Sequence, residues 1–187
     1  MPLALFLAEG LNALRAQSRW LANGLMLGVV TFNLWGTVQS AVRVPPGFTT
    51  QFDAVAQVDQ RAMPELIAFL REHGETRGYT NYWVSFPLAF LSDEELIYEA
   101  RLPYHLDFRY TLRDSRYLPY TQAVQRGARV VYITTRHPPL DKRLRENLEA
   151  LGATFSEKQI GDFHVFYALS RVVTPEELGL GLECCAP

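Results

Sequence analysis

The chain has 187 residues, of which 48% are hydrophobic and 20% charged, and its net charge at pH 7 is −2. No strong basic excess points to nucleic acid, and no nucleic-acid partner is expected, while the length suffices for a membrane segment and one domain with its own core. Cys184 and Cys185 are its two cysteines; sequence neighbours rarely bridge and supply half a zinc site at most, so neither a disulfide framework nor a metal centre is expected.

From Pro2 to Leu14 the residues Leu3, Leu7, Leu11 and Leu14 fall on one helical face. Residues 1–19 therefore read as an interfacial helix, or as the end of an earlier transmembrane segment in a longer protein. Trp20 to Val38 follows without a single charge and with Trp20 and Trp35 near its ends, where interfacial anchors sit. At about 1.5 Å of rise per residue this stretch matches the hydrocarbon thickness of a bilayer, so a transmembrane helix is expected over 20–40. Arg15 and Arg19 precede it, whereas Arg43 is followed by Asp53 and Asp59. The positive-inside rule then gives a single-pass cell-membrane protein with a cytoplasmic N-terminus and an extracytoplasmic C-terminal domain. Asn23, Asn33 and the glycines of the span favour packing on other transmembrane helices. The competing reading is a signal peptide cleaved near Ser40 or Val42, whose apolar core would normally be shorter.

A linker is expected over 41–63, an α/β domain over 64–174 and a tail over 175–187. Three helices in the domain carry proline at the start and glycine at the end: Pro64 to Gly74, Pro119 to Gly127, and Pro138-Pro139 to Gly152 with Leu140, Leu144, Leu148 and Leu151 on one face. Strands are expected at Gly78–Phe86, Glu95–Glu99, Arg129–Thr135, Ala153–Ile160 and Phe163–Val173, the last two joined by the turn Gly161-Asp162. The fold class that follows is α/β, a small three-layer-like domain with a mostly parallel sheet finished by a C-terminal antiparallel hairpin.

Aromatic residues crowd between Tyr79 and Tyr120 and are interleaved with arginines. Tyrosine and tryptophan offer an apolar face with a polar handle, and arginine suits phosphate, so a ligand surface is expected from Tyr79, Tyr82, Trp83, Arg109, Arg113, Arg116, Tyr117 and Tyr120. The competing reading makes most of these rings core and pairs the arginines with Asp107 and Asp114. Asp93, Glu94 and Glu95 read as a helix cap or solvated turn and not as an acid/base pair. His73, His105, His137 and His164 lack ligand or triad spacing, and Gly179-Leu-Gly181 lacks the context of a nucleotide loop. No catalytic residue, metal or cofactor is expected.

Three stretches carry a resemblance. Arg77-Gly-Tyr-Thr-Asn-Tyr-Trp83, then Pro87-Leu-Ala-Phe-Leu-Ser92 with its acidic turn, and Arg116-Tyr-Leu-Pro-Tyr120 resemble the extracytoplasmic C-terminal domain of multi-spanning GT-C glycosyltransferases and related bacterial membrane proteins. The order of a last transmembrane helix, a helix and a Gly-Tyr-x-x-Tyr-Trp strand is similar, over most of the chain. The resemblance implies transfer of a sugar from a dolichyl- or polyprenyl-phosphate donor. The family's catalytic acid belongs to a first extracytoplasmic loop without a counterpart in this sequence, so no catalytic residue carries over. The polypeptide then reads as a non-catalytic terminal portion whose partners are the lipid bilayer, other transmembrane helices of a glycosyltransferase, and a polyprenyl-phosphate sugar or glycan acceptor. The alternative is a complete small anchored or secreted protein that binds carbohydrate or an anionic ligand; a hydrolase using Asp93 or Glu94 is the third reading.

Overall fold

The computed structural model describes residues 2–43, 57–108 and 110–180, the side chains of 2–7 and 112 excepted. The chain divides into two compact units, Met1–Pro45 and Pro46–Pro187.

The first unit is a helix pair, α1 (Pro2–Gln17) and α2 (Arg19–Arg43). Ser18 separates them, and its hydroxyl accepts Leu21 N at 3.4 Å, so it caps the second helix. Leu11 and Leu14 are half-buried and Ala22 is buried where the helices pack together. α2 has 25 residues and a mean hydropathy of 1.3 over its most apolar stretch, which makes it long and apolar enough to cross a membrane. Its polar side chains turn back on the helix: Asn33 Nδ2 donates to Val29 O at 2.8 Å and Thr37 Oγ1 to Asn33 O at 2.9 Å. Self-satisfied in this way, they lose little on entering hydrocarbon.

The second unit is built on a five-stranded sheet of order β2-β1-β3-β5-β4, with β1 Arg77–Thr80, β2 Ile97–Ala100, β3 Val131–Thr135, β4 Ser156–Ile160 and β5 Phe163–Tyr167. β1 runs parallel to β2 and β3, whereas β5 is antiparallel to both β3 and β4. The sheet is therefore evenly mixed and not mostly parallel, because the hairpin inserts its second strand beside β3. Its side chains feed two apolar clusters on opposite faces: Val131 and Ile133 enter one and Tyr132 the other. The first cluster receives Met63, Leu66, Ile67 and Leu70 of α3 (Met63–Glu72) and Val84 and Leu88 of α4 (Tyr82–Leu91). The second receives Val124 of α5 (Leu118–Gln125) and Leu140, Leu144 and Leu148 of α6 (Pro138–Ala150).

The proline and glycine punctuation is realised. α3 and α6 carry proline in their first turn and close with Gly74 and Gly152 at φ +65° and +70°. Leu151, expected on the apolar face of α6, is instead its C-terminal cap and 37% exposed. Two strands are shorter than expected. The run Gly78–Phe86 is strand only to Thr80, because Asn81 caps α4 with its side chain. β5 stops at Tyr167 because Ala168 takes φ +53°, its N–H held by Glu75 Oε1 at 3.0 Å. Packing also extends beyond 64–174. Val58 joins the first cluster, and Val173, Leu178 and Leu180 the second, where Arg143 and Asn147 bond the carbonyls of Gly179 and Leu178. Cys184 and Cys185 lie outside the described residues.

Candidate functional site

α4 is the element on which the candidate residues converge. Asn81 Oδ1 accepts Trp83 N at 3.0 Å and its Nδ2 donates to Thr135 Oγ1 at 2.7 Å, so the helix start is tied to the end of β3. Val84, Ser85, Leu88 and Ala89 form its buried face. Pro87 stands inside the helix without an N–H for the Trp83 carbonyl one turn back. Gln60 supplies the missing donor, its Nε2 reaching Trp83 O at 3.4 Å.

On the outward side, Tyr82, Trp83, Phe86, Pro87, Phe90 and Leu91 of α4, with Gln60, line an open cleft of about 480 Å³. Its lining is mostly apolar. Trp83 Nε1 and Gln60 Oε1 are buried and have no hydrogen-bond partner. A buried donor or acceptor left unpaired costs about 1–3 kcal/mol, so these two atoms are the polar groups of the cleft wall with most to gain from a partner.

Beside the cleft the aromatic and arginine residues form a connected group. Arg116 Nη2 donates to Tyr82 Oη at 2.6 Å, and its guanidinium lies 5.4 Å from the centre of that ring. Phe86 stacks on Tyr120 at 6.0 Å, Tyr120 meets Tyr117 edge-on at 4.8 Å, and Tyr120 Oη donates to Glu94 at 2.9 Å. Burial, reinforced by the Glu94 carboxylate, pushes the Tyr120 hydroxyl up to about 12, so it stays a donor at neutral pH. Asp114 is buried, and desolvation raises its carboxyl above the usual range although Arg113 and Arg116 oppose the shift. The two arginines thus serve a buried carboxylate from exposed positions.

Of the eight residues expected at a site, six meet here: Tyr82, Trp83, Arg116, Tyr117 and Tyr120 directly, and Arg113 through Asp114. Tyr79 does not. It is 4% exposed in the second cluster, 5.3 Å from the Tyr132 ring, because the strand ends after Thr80 and the following residues wind onto the other face. Arg109 lies outside the described residues. Gln60 escaped the sequence reading; its only signal is a proline within an apolar run, which leaves a carbonyl in need of a donor. The acidic turn closes α4 with Asp93 and Glu94 at positive φ, and Glu95 pairs with Arg71 at 2.8 Å.

One constellation elsewhere has the composition of a catalytic group. His164 Nδ1 faces Asp141 at 3.1 Å and its Nε2 faces Glu157 at 2.9 Å, while Thr134 Oγ1 donates to Asp141. Both ring nitrogens are committed to carboxylates, so neither lone pair is free to accept a proton from a nucleophile. Among the described residues no group of three or more His, Cys, Asp or Glu is placed to hold a metal ion. Comparison with protein-family profiles, curated proteins and solved structures gave no match, so the chain's own residues carry the functional reading.

Proposed function

We propose that this chain is a membrane-tethered, non-catalytic recognition module. α2 anchors it, the α/β domain lies outside the cytoplasm, and the α4 cleft takes the sugar of a polyprenyl-phosphate donor or of a glycan acceptor. The carrying observation is the pairing of an aromatic cleft with one orphaned donor, Trp83 Nε1, and one orphaned acceptor, Gln60 Oε1. A sugar ring presents apolar C–H faces to aromatic rings, and each hydroxyl both donates and accepts. Arg113 and Arg116 add the charge that a phosphate-linked sugar calls for. The resemblance to the C-terminal domain of GT-C glycosyltransferases supports the same assignment and the extracytoplasmic address. The alternative of a complete anchored or secreted carbohydrate-binding protein would use the same cleft.

Binding of a polyprenyl-phosphate sugar and of the free sugar to the full chain in lipid vesicles tests this. Trp83→Phe should weaken both ligands, and Arg113→Ala with Arg116→Ala should weaken only the phosphate-bearing one, by roughly ten-fold each for the loss of a hydrogen bond to a charged or buried group. Unchanged binding with a lowered melting temperature would make these residues purely structural.

A further inference from the structure

We infer that the outer face of α4 docks on the surface of a phospholipid bilayer, with Phe90 and Leu91 inserted at headgroup level. This rests on the reading of α2 as the anchor.

Phe90 is 80% exposed and Leu91 55% exposed, in the last turn of a helix whose other outward residues are Trp83, Phe86 and Pro87. A soluble domain gains nothing by presenting such a stripe to water, whereas a bilayer interface would cover it. Around the stripe stand Tyr82, Tyr117 and Tyr120, rings with one apolar and one polar end, the type that collects at the membrane–water boundary.

The tether keeps this face within reach of lipid. Thirteen residues, 44–56, separate the end of α2 from Gln57, so covalent geometry keeps the two within about 50 Å at full extension. The chain then reaches the cleft at once, because Gln60 lines it. An anchor at Arg43 therefore keeps the domain within reach of the bilayer surface, so that lipid is at hand to cover the stripe.

The charges near the stripe nearly cancel. Arg113 and Arg116 are exposed, and the exposed Asp93 and Glu94 follow Leu91. Docking is thus apolar and does not require anionic lipid. A polyprenyl-phosphate sugar, whose phosphate lies at headgroup level, would meet Trp83 and Gln60 in this pose.

Spin labels on the full chain in phosphatidylcholine vesicles test the inference. In a Cys184→Ser and Cys185→Ser background, labels enter through Phe90→Cys, through Val30→Cys within α2 and through Lys142→Cys, a solvent-exposed position on α6. The expected result is that the label at position 90 collides more with oxygen than with a water-soluble nickel chelate, as at 30, while that at 142 does the reverse. An aqueous signature at 90 with a lipid signature at 30 overturns docking and leaves the anchor standing. An aqueous signature at both overturns both. Shielding at 90 from oxygen and nickel alike means that protein covers the stripe, which also overturns docking on lipid.

Discussion

Gly78 stands where β1 lies closest to β3: a Cβ at this position would come 2.1 Å from Val131 O and 2.7 Å from Tyr98 Cε1. The parallel pairing that positions Asn81, and through it α4, thus depends on the absence of a side chain. Gly78→Ala forces backbone apart, at the upper end of the roughly 1–3 kcal/mol that overpacking costs. A fall in melting temperature of about 10 °C is expected for a domain of this size, and an unchanged melt would contradict the packing. His164 makes a different kind of residue-level statement. The hydrogen bond to Asp141 of α6, with Glu157 of β4 on its other side, holds its pKa above the ordinary imidazole value in spite of burial. Its folded pKa exceeds the unfolded one, so the stabilisation is complete below about pH 6.5 and drains away as pH rises through the folded value. Glu157 behaves oppositely: its hydrogen bond with Arg145 lowers its pKa, and its contribution is lost as pH falls through the folded value. His164→Gln should therefore depress the melting temperature most near about pH 6, and the difference from the parent should shrink toward about pH 8.5. A difference constant with pH would show that the imidazolium contributes nothing.

α4 is held together by a contact between residues 60 and 83 that exists because of residue 87. Gln60 donates to the Trp83 carbonyl left free by Pro87, so the two positions should be energetically coupled. Gln60→Ala is expected to cost about 0.5–1 kcal/mol, as suits one long hydrogen bond, in the parent chain. In a Pro87→Ala background the restored backbone N–H takes over and the same change should be nearly silent. A double-mutant cycle by thermal or denaturant unfolding reads the coupling, and additive effects would refute it. This element also marks the limit of what the sequence conveys. α3, α5 and α6 are legible because proline and glycine punctuate their ends, and β3 because Val131, Ile133 and Thr134 are β-branched. α4 is not, since Tyr82, Trp83 and Phe86 favour strands and Pro87 disfavours helix; Asn81 and the buried face from Val84 to Ala89 override both preferences. The same switch from strand to helix separates Tyr79 from Tyr82, so a site drawn along the sequence merged a core ring with cleft rings. The pairing of β5 beside β3 was equally hidden, because hairpin turn chemistry fixes the β4–β5 pairing and leaves open which of the two strands joins the rest.

At the scale of the whole molecule, α2 is the one helix among the described residues long and apolar enough to cross a membrane. α2 spans 25 residues, about 37 Å at helical rise, with Trp20, Phe32, Leu34 and Trp35 exposed along it. Soluble helices bury their apolar side chains, whereas only 6% of the most apolar stretch of α2 is buried. The arginines flanking it set the expected direction: Arg15 and Arg19 before it, Arg43 after it. Two tags on the full chain read this out, one before Met1 and one after Pro187. Protease added outside sealed cells should digest the C-terminal tag and leave the N-terminal tag intact, and alkaline carbonate should leave the chain in the membrane fraction. The reverse protection pattern would place the α4 cleft in the cytoplasm, away from extracytoplasmic lipid-linked sugars, and would remove the address on which the proposed function depends. Release of the C-terminal tag into the medium would identify α2 as a cleaved signal sequence, and the cleft would then serve a secreted protein.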